Sequence, residues 1–67
     1  MWLVQNFRAV KLDDYETLEV KGKAIIGNKF LAENGEELAE FETIREAKEQ
    51  FQKVMLAMGR GDKVYFC

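Results

Sequence analysis

The stretch from residue 43 to residue 58 constrains the fold most, because it encodes a helix with its own start signal and one apolar face. Thr43-Ile44-Arg45-Glu46 is typical of a capping box, in which the Thr43 and Glu46 side chains each satisfy a free backbone amide. Apolar residues then recur at helical spacing, at Ile44, Ala47, Phe51, Val54, Met55 and Met58. We predict an amphipathic helix over 44–58, ended by Gly59, lying across a sheet.

A hairpin signal precedes the helix. Asn34-Gly35 lies between two strand-like runs, 24–33 and 36–42, and Asn-Gly suits a two-residue turn because both turn positions need a positive φ. This register predicts the outer-face pairs Leu31–Leu38 and Lys29–Glu40. The opposite face is predicted to join the core, and it carries Ile26, Phe30, Ala39 and Phe41.

Strand-forming residues fill the rest of the chain. We predict a first strand over 1–7 that continues towards Val10, then a turn at Asp13-Asp14. A strand carrying Leu18 and Val20 follows, with a turn at Gly22-Lys23, and "KVYFC" (63–67) is typical of a last strand. The prediction is a single α+β domain over residues 1–67. A small, mostly antiparallel sheet of four to five strands packs against one amphipathic helix, in the order β-β-β-β-α-β.

So short a chain has few means of supporting its core. It has one cysteine, Cys67, and no histidine, which rules out an intramolecular disulfide and the usual Cys/His zinc site. We expect no metal and no cofactor. Assembly into a homo-oligomer is the remaining common source of stability.

The charge balance bears on partners and location. Ten basic and twelve acidic residues give a net charge of −2, which offers no long-range attraction to nucleic acid or to an anionic membrane. The N-terminal apolar run is too short for a signal peptide or a membrane span. We expect a cytoplasmic protein without nucleic-acid or membrane partners.

Several segments resemble a group of very small, mostly uncharacterised bacterial and prophage proteins. The matching residues are Met1-Trp2, Val10, Leu12-Asp13, Leu18, Val20, Asn34-Gly35-Glu36-Glu37, Phe41-Glu42-Thr43 and Ala47. Tyr15 departs from the group, in which an aliphatic residue is usual at that place. The resemblance covers most of the chain. It implies a small strand-and-helix fold and a mobile-element context, and it supplies no catalytic residue.

Groups suited to catalysis are few. General acid–base chemistry near neutral pH most often uses histidine, which is absent. Asp13-Asp14 is typical of a turn, and the adjacent strand residues Glu36 and Glu37 point to opposite faces. Cys67 has no partner base. Arg60-Gly61-Asp62 resembles an integrin-binding tripeptide but is typical of a helix end followed by a turn. We therefore expect a protein that is not an enzyme.

Two kinds of binding site remain. Large apolar side chains placed off the core form a candidate interface, at Trp2, Leu31, Leu38, Leu56 and Tyr65. The alternative is a wider core, with the outer sheet face shielded by the first strand. Basic residues near one end of the sheet and the last turn form a candidate site for a phosphate-bearing molecule, at Lys21, Lys23, Lys29, Arg60 and Lys63. The alternative there is a solvated surface of mixed charge.

Two functional hypotheses follow. The first is a non-enzymatic phage or prophage accessory protein that binds a host protein as a homo-oligomer. The second is an oligomeric sponge, whose basic pockets sequester a small anionic ligand such as a nucleotide signal used in host defence.

Overall fold

Two three-stranded sheets and one helix make up the computed structural model, which describes all 67 residues. The α+β class is confirmed. The predicted single sheet of four to five strands is instead divided in two, and five strands rather than four precede the helix.

Sheet A joins the two ends of the chain. Strands β1 (Trp2–Gln5) and β2 (Arg8–Lys11) form an antiparallel hairpin, and β6 (Val64–Phe66) lies parallel to β1. The predicted continuous first strand is wrong, because the chain reverses at Asn6 and Phe7. Their φ angles of 50° and 64° are both positive, as a two-residue hairpin turn requires.

Sheet B consists of β3 (Thr17–Lys21), β4 (Ala24–Asn28) and β5 (Glu36–Glu40), in the order β3-β4-β5 and antiparallel throughout. The predicted turn at Asp13-Asp14 is confirmed as a short 3₁₀ turn over Leu12–Asp14. The predicted turn before β4 is also confirmed.

The connection between β4 and β5 differs from the prediction. β4 ends at Asn28, residues 29–35 form a loop, and Gly27 pairs with Glu36. Asn34-Gly35 is therefore not a two-residue turn, and the predicted pairs Leu31–Leu38 and Lys29–Glu40 do not form. Gly35 is needed for space, since a Cβ there would collide with the side chain of Ile26.

A bulge in β5 changes which residues are buried. Ile25 pairs with Ala39 and Ile26 with Glu37, so Leu38 has no residue opposite it. Leu38 and Ala39 are consequently both buried, although they are adjacent. The predicted outer-face position of Leu38 is wrong.

Two of the predicted core residues are confirmed and two are not fully buried. Ala39 and Phe41 are buried, and Ile26 is half-buried. Phe30 is 71% exposed because it lies in the loop after β4. Its neighbour Leu31 is also exposed and has a φ of 63°, a conformation that a leucine rarely adopts.

Helix α1 spans Ile44–Arg60. Half of the predicted capping box is confirmed, because the Thr43 hydroxyl oxygen accepts a hydrogen bond from the Glu46 N–H over 3.0 Å. The reciprocal bond from the Thr43 N–H to the Glu46 side chain does not form. The helix continues past Gly59 and ends at Gly61, whose φ of 81° is left-handed. The Gly61 N–H bonds to carbonyl oxygens of the last turn, so the predicted end at Gly59 is wrong.

The core lies between α1 and the inner faces of both sheets. Its largest fully buried side chains are Leu3, Leu12, Ile25 and Val54. The apolar face predicted for the helix packs against this core, although its first and last residues, Ile44 and Met58, are partly exposed. No helix of the chain combines the length and apolar character needed to cross a membrane.

Candidate functional site

Sheet A has one face towards the core and one towards solvent. Leu3, Val10 and Tyr65 lie side by side on the inner face. Because strand side chains alternate between faces, two rows of residues cross the opposite side. We call these residues the outer face: Lys11, Trp2 and Val64 in one row, and Ala9, Val4 and Phe66 in the other.

Apolar side chains dominate the outer face. Phe66 is 74% exposed, Trp2 44% and Val64 43%. The exposed parts of the two aromatic rings amount to roughly 200 Å², since a whole aromatic side chain offers about 150–250 Å². The three aliphatic residues enlarge this area towards the few hundred Å² at which an apolar patch is often functional.

Charge is distributed unevenly between the two sheets. The strands of sheet A contain no acidic residue and two basic ones, Arg8 and Lys11. Sheet B carries four glutamates, Glu19, Glu36, Glu37 and Glu40. A surface that complements the outer face would therefore be apolar with acidic groups at its edge.

The other end of the inner face is polar and is attached to β5. The Gln5 side-chain amide donates to the Glu40 carbonyl oxygen and accepts from the Glu40 N–H, both over 2.8 Å. Arg8 donates to the Glu37 carbonyl oxygen over 2.9 Å. These residues line an open cleft of about 1020 Å³ that also contains Cys67. Burial raises the pKa of the Cys67 thiol, which disfavours the nucleophilic thiolate.

The carboxylates of β5 belong to two separate networks. Glu36 accepts a hydrogen bond from the Tyr15 hydroxyl over 2.6 Å and lies 3.7 Å from the Lys29 ammonium. The hydrogen bond is the main reason why the pKa of Glu36 is lowered and that of Tyr15 is raised to about 12. Glu37 instead adjoins Glu40, which raises the pKa of Glu37 through a shared hydrogen bond and like charge.

Sequence spacing could not reveal the contact between Glu37 and Glu40. Residues three apart on a regular strand point to opposite faces, and only the bulge at Leu38 brings these two together. No group of three or more histidine, cysteine, aspartate or glutamate side chains is placed to hold a metal ion.

The residues predicted for an interface have different environments. Trp2, Leu31 and Leu56 are exposed, but they lie on β1, on the loop after β4 and on α1. Leu38 belongs to the core, and Tyr65 packs against it and donates a hydrogen bond from its hydroxyl to the Gln50 side-chain oxygen over 2.8 Å. For these last two residues, the wider core is the correct alternative.

Sequence reasoning missed the rest of the outer face. The alternation of Val64 and Phe66 with Tyr65 was visible, but it does not show which side is buried. Parallel pairing with β1 places Val64 beside Trp2 and Phe66 beside Val4. No local sequence signal predicts this pairing, because the two strands lie at opposite ends of the chain.

The residues predicted to hold an anionic ligand lie apart. Lys21 ends β3 and Lys23 lies in the turn before β4, whereas Lys29 follows the other end of β4 and pairs with Glu36. Arg60 and Lys63 lie at the C-terminal end of α1, where Arg60 pairs with Asp62 over 2.8 Å. A single chain does not gather these five groups into one pocket.

Comparisons with protein-family models, curated proteins and solved structures give no match. Fold and site define a small α+β protein with one apolar, acid-free sheet face. The resemblance to small prophage proteins stays a prediction.

Proposed function

We propose that this protein acts by binding another protein through the outer face, without catalysing a reaction. The observation that carries the proposal is the exposure of Trp2, Val64 and Phe66 beside one another on a sheet face without acidic residues. Interface cores are enriched in aromatic residues and depleted of aspartate and glutamate. The outer face has this composition.

The chemistry of the outer face also limits the partner. Lys11 is its one charged residue, and Lys63 directly precedes Val64 in the chain. The partner we propose is a protein surface with an apolar centre and acidic groups around it. Such an arrangement pairs opposite charges at the solvent-accessible rim, where they influence the association rate more than the affinity.

A binding role is supported further by the arrangement of the titratable groups. Glu36 is engaged with Tyr15 and Lys29, and Glu37 adjoins another carboxylate. Neither lies in a closed pocket. The thiol of Cys67 has a raised pKa, and histidine is absent from the chain. The resemblance to prophage proteins makes a host protein the partner that we propose, with this chain as an accessory protein of the mobile element.

Site-specific photo-crosslinking in bacterial cells tests the proposal. A photoreactive phenylalanine analogue replaces Ala9, which is exposed at the edge of the outer face. The matched control carries it at Leu56, which is 64% exposed on α1. We expect a discrete adduct with one protein from position 9 only, and we expect Trp2→Ala to abolish it while the fold is retained. Equal labelling from both positions, or an adduct that survives Trp2→Ala, would refute the proposal.

A further inference from the structure

Three of the four sheet edges are protected against pairing with another chain. On β5, Gln5 bonds to the N–H and C=O of Glu40, and Arg8 bonds to the C=O of Glu37. β3 alternates apolar residues with Glu19 and Lys21, and β2 has a basic residue at each end. Charged side chains and covering groups are the usual means by which proteins block strand addition.

Strand β6 is the unprotected edge. It consists of Val64, Tyr65 and Phe66, with no charge, no proline and no bulge. It is the terminal strand of sheet A, with β1 on one side and no strand on the other. An edge of this kind is a template for another strand.

The groups that β6 offers can be identified from its pairing with β1. The Lys63 carbonyl oxygen accepts from the Trp2 N–H over 2.8 Å, and the Cys67 N–H donates to the Val4 carbonyl oxygen over 2.9 Å. Because backbone groups point alternately to the two sides of a strand, the N–H and C=O groups of Val64 and Phe66 point to the free edge.

We infer that two copies of this chain pair through β6, antiparallel and about a two-fold axis at Tyr65. Val64 of each copy then lies opposite Phe66 of the other. Both residues present free backbone groups, so the two pairs form four hydrogen bonds. The two sheets A become one six-stranded sheet, in the order β2-β1-β6-β6-β1-β2.

A second copy fits this edge because the pairing is self-complementary. The exposed Val64 and Phe66 side chains meet across the seam on one face, and each such apolar cross-strand pair is favourable. Like charges are kept apart, since the Lys11 residues of the two copies lie on the strands farthest from the seam. The two outer faces merge into one apolar surface of twice the area.

The contact between the two β6 strands involves few residues, so the dimer is weak. Three residues a side bury less than the roughly 1,200 Å² of a stable interface. We therefore expect a dissociation constant for the dimer of about 1 μM to 1 mM. The inference does not depend on the proposed partner protein, because it concerns the purified chain alone.

Sedimentation equilibrium of the purified protein over that concentration range tests the inference. We expect the average mass to rise from the chain mass of 7.8 kDa towards twice that value. Phe66→Lys should leave a monomer at every concentration, because it removes the apolar pair with Val64 of the second copy and because lysine on an edge strand opposes strand addition. Leu56→Lys, at a position on α1 that is 64% exposed against 74% for Phe66, should dimerise like the parent protein.

Two further measurements identify the surface used. Ala9→Lys places a charge on the outer face but away from β6, so it should not affect dimerisation through the edge. In a mixed-label sample, an NOE between the Tyr65 Hα atoms of the two copies is expected, since their Cα atoms would be about 4.5 Å apart.

The inference is overturned by a parent protein that stays monomeric at 1 mM, or by a folded Phe66→Lys variant that still dimerises. Loss of the dimer in Ala9→Lys would also overturn it, because the copies would then stack through their outer faces. Far-UV circular dichroism establishes that each variant is folded. If Phe66→Lys does not fold, Val64→Lys places the same charge at the same seam.

Discussion

The side-chain amide of Gln5 pairs with the backbone N–H and C=O of Glu40 as a neighbouring strand would, with one donated and one accepted hydrogen bond of 2.8 Å each. Gln5 belongs to sheet A and Glu40 to the edge of sheet B. One side chain therefore occupies the edge of β5 at Glu40 and connects the two sheets. The contrast with β6, where no side chain performs this role, is the structural basis for the inferred dimer.

Replacing Gln5 should weaken the fold. Each hydrogen bond contributes about 0.5–1.5 kcal/mol net, so Gln5→Ala, which removes two, should lower the free energy of unfolding by about 1–3 kcal/mol. Urea denaturation followed by circular dichroism measures this change. Gln52→Ala is the matched control, because Gln52 is exposed on α1 and has no hydrogen bond from its side chain. If the two variants have the same midpoint, the two bonds of Gln5 do not stabilise the protein.

The loop over residues 29–35, which replaces the predicted two-residue turn, leads to a second prediction. Leu38 is 3% exposed and Leu31 is 86% exposed, although the Asn-Gly signal predicted that they face each other. Leu38→Ala should lower the free energy of unfolding by about 2–5 kcal/mol, because it leaves a cavity in the core. Leu31→Ala should change it by less than about 0.5 kcal/mol.

Leu31→Asn adds a check on the backbone. Asparagine tolerates the left-handed conformation that Leu31 adopts, so this variant should be as stable as the parent protein or slightly more stable. Thermal unfolding of Leu38→Ala, Leu31→Ala and Leu31→Asn ranks the three variants by stability. Similar losses for Leu31→Ala and Leu38→Ala would instead support the two-residue hairpin.

The end of α1 provides a pair of substitutions with opposite effects. Gly61 has a φ of 81°, so Gly61→Ala should destabilise the protein by about 1–2 kcal/mol. Gly59 lies within the helix with open space around its Cα, so Gly59→Ala should stabilise it by about 0.5–1 kcal/mol. Urea denaturation of both variants shows whether each substitution raises or lowers the free energy of unfolding. The reverse order would place the helix end at Gly59.

Local features of this fold were predictable from sequence, and features that depend on distant contacts were not. The N-cap at Thr43 and the strand from Thr17 to Lys21 follow from neighbouring residues alone. Gly35, in contrast, is required because a Cβ there would collide with the Ile26 side chain. The glycine of the Asn-Gly pair therefore reflects close packing and not a two-residue turn. The chain also reverses at Phe7 without a glycine.

The candidate site was predictable only in part for the same reason. Trp2 could be recognised as a large side chain near the chain end, and it is indeed partly exposed. Its neighbour on the outer face is Val64, which the parallel pairing of β6 with β1 brings to it. Pairing between the two ends of a chain depends on tertiary packing, so the outer face appears only once the fold is known.

The hydrogen bond between Tyr15 and Glu36 makes stability depend on pH in a defined direction. The pKa of Tyr15 is raised to about 12, so its contribution to stability is complete below the ordinary value near 10 and is lost as pH rises through 12. The pKa of Glu36 is lowered, so its contribution is present above the ordinary value and is lost as pH falls through the lowered one. Tyr15→Phe should therefore destabilise the protein between pH 5 and pH 9, and the difference from the parent protein should shrink towards both extremes.

Spectrophotometric titration measures the tyrosine directly. In a Tyr65→Phe background, Tyr15 is the one remaining tyrosine, and we expect it to ionise with a pKa near 12. Glu36→Gln removes the carboxylate that opposes ionisation, so it should move this pKa back towards 10. Circular dichroism at each pH separates ionisation from alkaline unfolding. A folded protein in which Tyr15 titrates near 10 with Glu36 present would show that the 2.6 Å contact does not persist in solution, and the pH dependence of stability at both extremes would then have to come from other groups.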